Sequence, residues 1–224
     1  MKVEKAYILT IDTPTSQKYL VDAIKSCEIM RFPWDEYKGF CDIPPFDALS
    51  KIGVNKKIPF ANRVPRGALS MIGHMGIIKK IMDNKECAVI LEHDAVMIQP
   101  VTVDIPDGEI VVLGYKLKNI ERYNSKRAGL PTRLISIDGH EGAHAYALTW
   151  RTAEMIWEEF LEVGIQSDSI DNHYFLKERK NFTKIPLSIT DPICSLGWIR
   201  DSTIWNESST DNYDFIDSFK SNLN

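Results

Sequence analysis

The stretch from Gly67 to Val96, GALSMIGHMGIIKKIMDNKECAVILEHDAV, constrains the fold more tightly than any other part of the chain. Ala68, Met71, Ile72, Met75, Ile78 and Met82 recur at three- and four-residue steps, which predicts a helix with one apolar face. Asp83 and Asn84 break that pattern. Cys87 to Leu91 follows as a short, continuous apolar run, the form of a strand covered on both faces of an α/β sheet. The run stops on Glu92-His93-Asp94. Ligands of open α/β sheets gather beyond the carboxyl ends of the strands, and two carboxylates spaced i, i+2 there can share one hard divalent cation. The segment therefore predicts a metal–diphosphate site. In extended geometry the side chain of His93 points the other way from the two acids, so it reads as a supporting histidine or as a ligand.

The rest of the chain alternates strands with helices. Ala6 to Ile11 predicts a first strand, Asp12-Thr13-Pro14-Thr15-Ser16 a turn, and Gln17 to Met30 a helix carrying Tyr19, Leu20, Ala23, Ile24 and Cys27. Residues 31–66 lack clean periodicity and predict a long irregular excursion. Pro106-Asp107-Gly108 turns into Ile110-Val111-Val112-Leu113-Gly114, another buried strand. Ala143 to Leu148 is a further apolar run ending at Thr149, a good N-cap. The helix from Trp150 places Ala153, Ile156, Trp157, Phe160 and Leu161 on one side and closes at Gly164. At 224 residues the chain fits one such domain, residues 1–206, followed by a polar tail, 207–224.

The formal charge of −4 argues against a surface coated with basic groups. A local basic segment exists nonetheless. Lys116, Lys118, Arg122, Lys126, Arg127 and Arg133 occur with only Glu121 opposing them, as a solvated loop or as a clamp for phosphate. Cys27, Cys41, Cys87 and Cys194 have no paired spacing and read as free thiols. The apolar run near the amino terminus is too short for a signal peptide, and no stretch approaches the roughly 20 apolar residues of a membrane span. A cytoplasmic protein is expected.

A second constellation is Gly139-His140-Glu141-Gly142-Ala143-His144. Literally, His140 to His144 is H-E-x-x-H, which on a helix would give a zinc-dependent hydrolase with Glu141 activating the water. Gly139 and Gly142 weaken a helix by about 1 kcal/mol each relative to Ala, and the following residues read as a strand. A third constellation, Asp168-Ser169-Ile170-Asp171-Asn172-His173, reads as a helix start with acids at the positive end of its dipole.

Taken together, these motifs resemble glycosyltransferase family 25, the lipooligosaccharide and collagen galactosyltransferase group. Gly73-His74 stands where that family carries Ser-His. Leu91-Glu92-His93-Asp94-Ala95 stands for Leu-Glu-Asp-Asp-Ala, Gly142 to Thr149 for the Gly-Thr-(His/Ala)-(Ala/Gly)-Tyr landmark, and Ser169-Ile170-Asp171 for Pro-Val-Asp. Asp191-Pro192-Ile193-Cys194-Ser195-Leu196 and Asp201-Ser202-Thr203-Ile204 resemble its closing segments. The resemblance implies a single GT-A-type (Rossmann-like) α/β domain with a mixed, mostly parallel sheet flanked by helices. It also implies an inverting transferase that moves a sugar from a nucleotide-sugar donor, a UDP-hexose, with Mn²⁺ or Mg²⁺. On that resemblance Asp171 is the general base, with Asp168 as second choice. Glu92, Asp94 and His173 hold the metal, and Thr10, Asp12, Ser16, His74, Glu92 and Gly142 contact the donor. The Arg that family members carry after the first strand is absent here. The acceptor would be a saccharide or another hydroxyl-bearing molecule, anionic ones included, such as a lipooligosaccharide or a modified nucleic-acid base. The departure at His93 also leaves room for a sugar-binding module without turnover.

Overall fold

The structure, a computed structural model, describes residues 1–60, 67–115, 134–140, 142–167 and 169–196. Among the described residues its centre is an eight-stranded sheet between two layers of helix. The strands are β1 (Lys5–Thr10), β2 (Trp34–Lys38), β3 (Cys87–Glu92), β4 (Ala95–Met97), β5 (Ile110–Tyr115), β6 (Ile135–Ile137), β7 (Ala145–Thr149) and β8 (Leu187–Leu196). Their spatial order is β2-β1-β3-β7-β5-β8-β4, with β6 also paired to β8. β2, β1 and β3 run parallel, β7 is antiparallel to β3 and β5, and β5 is parallel to β8. The sheet is thus mixed, with the parallel strands carrying most of it and β4, β6 and β7 reversed.

Both faces of the central strands are covered, which is why they read as unbroken apolar runs rather than alternating ones. Ala88 and Ile90 of β3 belong to one core, with Tyr7, Leu9, Tyr146 and Leu148. Cys87, Val89 and Leu91 belong to the other, with Ala6, Ile8 and Ala147. The second core is closed by α1 (Pro14–Ile29) through Leu20, Ala23 and Cys27. The first is closed by α2 (Pro45–Lys51), α3 (Ala68–Asn84) and α4 (Trp150–Val163). Thr149 caps α4 as its sequence predicts, accepting from Thr152 N at 3.3 Å.

The helix that dominates the sequence is buried almost all round, more than its one apolar stripe suggests. Met71, Ile72, Gly73, His74, Met75, Gly76, Ile77 and Ile78 are all inaccessible or nearly so. Each fully buried Ile or Met there contributes about 1.5–3 kcal/mol. Two glycines permit the burial. A Cβ on Gly73 would lie 3.2 Å from Leu9 Cδ1, and one on Gly76 would overlap the Tyr37 hydroxyl.

Residues 31–66 differ from their expectation, because part of the region is ordered as β2 and α2. β2 alternates half-buried with exposed side chains at the sheet edge, a pattern too weak to stand out beside the Pro-rich flanks. Among the described residues no helix is long and apolar enough to cross a membrane.

Candidate active site

The carboxyl ends of β1, β3 and β5 and the amino end of β7 converge on one edge of the sheet. Leu9 pairs with Glu92 and Leu91 with Ala145, and Glu92 N donates to His144 O at 2.9 Å. Glu92 ends β3, and His93-Asp94 make the turn into β4. The Glu92 side chain keeps 31% of its accessibility. Asp94 Oδ1 is buried with no hydrogen-bond partner.

Burial holds both carboxyls above the usual range, the charge of Asp94 raises Glu92 further, and His93 opposes the shift in each. Two acids that resist ionising together, one with an orphaned oxygen, are what a cation would relieve. The residues therefore fit a divalent ion. No group of three or more His, Cys, Asp or Glu side chains is arranged to hold a metal among the described residues. A cation here would complete its shell with ligand oxygens, as Mg²⁺ does when one or two carboxylates share it with phosphates.

His173 is not brought into this pair. It is fully buried in the turn Asp171–Phe175, with Nε2 3.8 Å from Glu159 Oε1 on α4 and its ring 5.3 Å from that of Phe182. The turn directs it toward α4. His93 lies toward α1, its ring centroid 6.5 Å from that of Tyr19.

Behind Glu92 is a buried polar chain. His74 has Nε2 3.3 Å from Glu92 Oε1 and Nδ1 2.9 Å from the Tyr146 hydroxyl. Burial pushes the imidazole down to about 4, only partly offset by the charge of Asp171, so it is neutral near pH 7. Burial raises the Tyr146 phenol, and Glu92 and Asp171 raise it further. The charge of Asp171 thus acts on both rings. Asp171 opens a π-helical turn rather than the ordinary helix its sequence suggests, with Leu176 N donating to Asp171 O at 2.8 Å.

Thr10 and Ser16 are buried and spend their hydroxyls on each other at 2.9 Å. Ile11 N donates to Ser16 Oγ at 3.0 Å, and Gln17 Nε2 donates to Thr10 Oγ1 at 3.2 Å. They shape the β1–α1 loop, whereas Asp12 is exposed at its tip.

No protein-family profile and no curated protein matches the chain. Solved structures do. The galactosyltransferase LgtC, in complex with donor and acceptor sugar analogues, is 14% identical over 97% of this chain and 95% of that one, with a TM-score of 0.36. The glycosyltransferase GlyE of Streptococcus pneumoniae TIGR4 is 11% identical over 95% of this chain, with a TM-score of 0.43, and the chain spans 59% of its length.

The H-E-x-x-H pattern does not take the helical form of the zinc motif. The motif needs one continuous helical turn, but Gly142 has φ +88° and β7 begins at Ala145. His140 instead places Nε2 3.0 Å from Gly114 O, and its backbone N–H donates to Phe175 O at 2.7 Å. His144 packs on Gly114, where a Cβ would fall 2.6 Å from its Cδ2. Asp168, Glu141, the basic segment 116–133 and residues 197–224 lie outside the described residues.

Tyr146 is the site residue that sequence reasoning missed. Its signal was present, a hydroxyl inside the otherwise apolar Ala145–Leu148 run, because a buried Tyr hydroxyl needs a partner.

Proposed function

We propose that the chain is a GT-A-type glycosyltransferase, similar to family 25, that moves a hexose from a UDP-sugar to an acceptor hydroxyl. The observation that carries this reading is the pair Glu92 and Asp94 at the carboxyl end of β3. Their raised carboxyls and the orphaned Asp94 Oδ1 favour a cation at the edge where open α/β sheets take ligands. Glu92 and Asp94 would hold Mn²⁺ or Mg²⁺. Bound there, the cation would supply positive charge against that building on the leaving diphosphate.

The remaining roles belong to the protein's own groups. The β1–α1 loop, shaped by Thr10 and Ser16, presents the exposed Asp12 to the nucleotide. Gly142, with φ +88°, lets the backbone approach the donor closely. Asp171 takes the acceptor proton for a single inverting displacement, as the family resemblance implies, with Asp168 the second candidate. The acceptor is a saccharide or another hydroxyl-bearing molecule, a lipooligosaccharide or a modified base among them.

Calorimetry of UDP with and without Mn²⁺ tests the reading. Wild type should bind UDP more tightly with the cation, and Asp94→Asn should lose that dependence while unfolding cooperatively. Equal affinity with and without Mn²⁺ in both proteins would remove the acid pair from the donor site.

A further inference from the structure

The buried chain from Tyr146 through His74 to Glu92 has a direction. A carboxylate that takes a cation is ionised and can only accept, so the 3.3 Å contact between His74 Nε2 and Glu92 Oε1 requires the hydrogen on Nε2. Nδ1 then carries only a lone pair, and the Tyr146 O–H, 2.9 Å away, must donate to it. His74 is inaccessible to water and Tyr146 is 1% exposed, so no solvent molecule competes for these atoms. The rings lie 5.8 Å apart at an interplanar angle of 26°, and the edge of Phe175 packs on Tyr146 at 5.0 Å.

We propose that Tyr146 and His74 are positioning residues. Tyr146 donates to His74 Nδ1 and holds the ring in place, and His74 holds Glu92 by Oε1 so that its other carboxylate oxygen faces the ligand. Neither ring touches the reacting atoms. A directed donor behind a ligating carboxylate removes the rotational freedom that carboxylate would otherwise lose on binding. The two rings are supplied by different elements, His74 by α3 and Tyr146 by β7. The function assigned to this arrangement rests on the glycosyltransferase reading, whereas the tautomer rests only on Glu92 being ionised.

Two measurements separate the two claims. Nitrogen-15 NMR of histidine-labelled wild type in alkaline buffer should show His74 protonated on Nε2. Tyr146→Phe should keep that tautomer, because Glu92 still accepts from Nε2, and should shift the Nδ1 resonance, which loses its hydrogen-bond donor. A wild-type proton on Nδ1, or an unchanged signal in Tyr146→Phe, overturns the proposal. In the second measurement, His74→Gln retains a donor near the Nε2 position, whereas His74→Asn reaches only the Nδ1 position. Asn should weaken Mn²⁺-dependent UDP binding about ten-fold or more, and Gln should recover most of it. Equal losses in the two variants overturn the positioning role. If wild type binds no UDP at all, the donor assignment falls, and the NMR result alone decides the tautomer.

Discussion

Asp171 sits where a π-helical turn starts, and its charge reaches His74 and Tyr146. A general base and a turn-stabilising acid make different predictions for one substitution. Asp171→Asn keeps the shape but cannot accept a proton, so turnover should fall about 10²- to 10⁴-fold with donor affinity nearly unchanged. Steady-state kinetics beside UDP calorimetry checks this, and retained turnover would move the search to Asp168. The acid pair makes a second prediction. An acid whose folded-state pKa lies above its unfolded value favours the fold below the ordinary carboxylate range and loses that contribution as pH rises through the folded value. Both Glu92 and Asp94 are raised. Without cation, the unfolding midpoint should therefore fall between about pH 5 and about pH 8 more steeply in wild type than in Asp94→Asn. Mn²⁺ should flatten the wild-type curve, most strongly at the alkaline end where proton competition is least.

At the scale of elements, the end of α4 is pinned to the loop before α3. Gly164 closes α4 at φ +72°, Ile165 N donates to Pro59 O at 2.9 Å, and Phe60 bridges Ile165. A Cβ on Gly164 would collide with Pro59 O and lie 2.7 Å from its carbonyl carbon. Helix propensity favours Ala over Gly only inside a helix. Here a backbone region open mainly to glycine and a backbone clash act together. Gly164→Ala should cost about 2–4 kcal/mol, read as a lower urea midpoint with little change in slope. An effect under about 0.5 kcal/mol, the range of an unremarkable surface change, would mean that this junction yields easily.

For the whole molecule, ligand binding and stability are one equilibrium. UDP at one hundred times its dissociation constant, with Mn²⁺ present, should stabilise the protein by about 2.7 kcal/mol. For a chain of this size that is a rise of roughly 5–10 °C in Tm. A thermal-shift series over nucleoside diphosphates with and without Mn²⁺ reads it directly. The largest shift should come from UDP with Mn²⁺, and a shift from Mn²⁺ alone should be smaller, because two carboxylates leave most of the coordination shell to the diphosphate.

Much of this fold was legible in the chain because its signals are local. The Cys87–Leu91 run, the Thr149 cap and the Gly164 stop depend on neighbours within a few residues, and each lies in the structure where its pattern puts it. The acid pair was legible for the same reason, since a buried strand ending on carboxylates is a statement about adjacent residues. β2 and α2 were not, because an edge strand with half-buried side chains carries little periodicity of its own. Nor could sequence decide which histidine meets which acid. His74 joins Glu92 across 18 positions and Tyr146 across 72, whereas His173, two residues from Asp171, turns to Glu159 instead. The H-E-x-x-H pattern failed likewise, since the positive φ at Gly142 and the strand from Ala145 break the helical turn that its spacing assumes. Local propensity determined the strands, helices and caps; the pairing of polar groups was decided by the sheet order, which sets distances between residues that the chain keeps far apart.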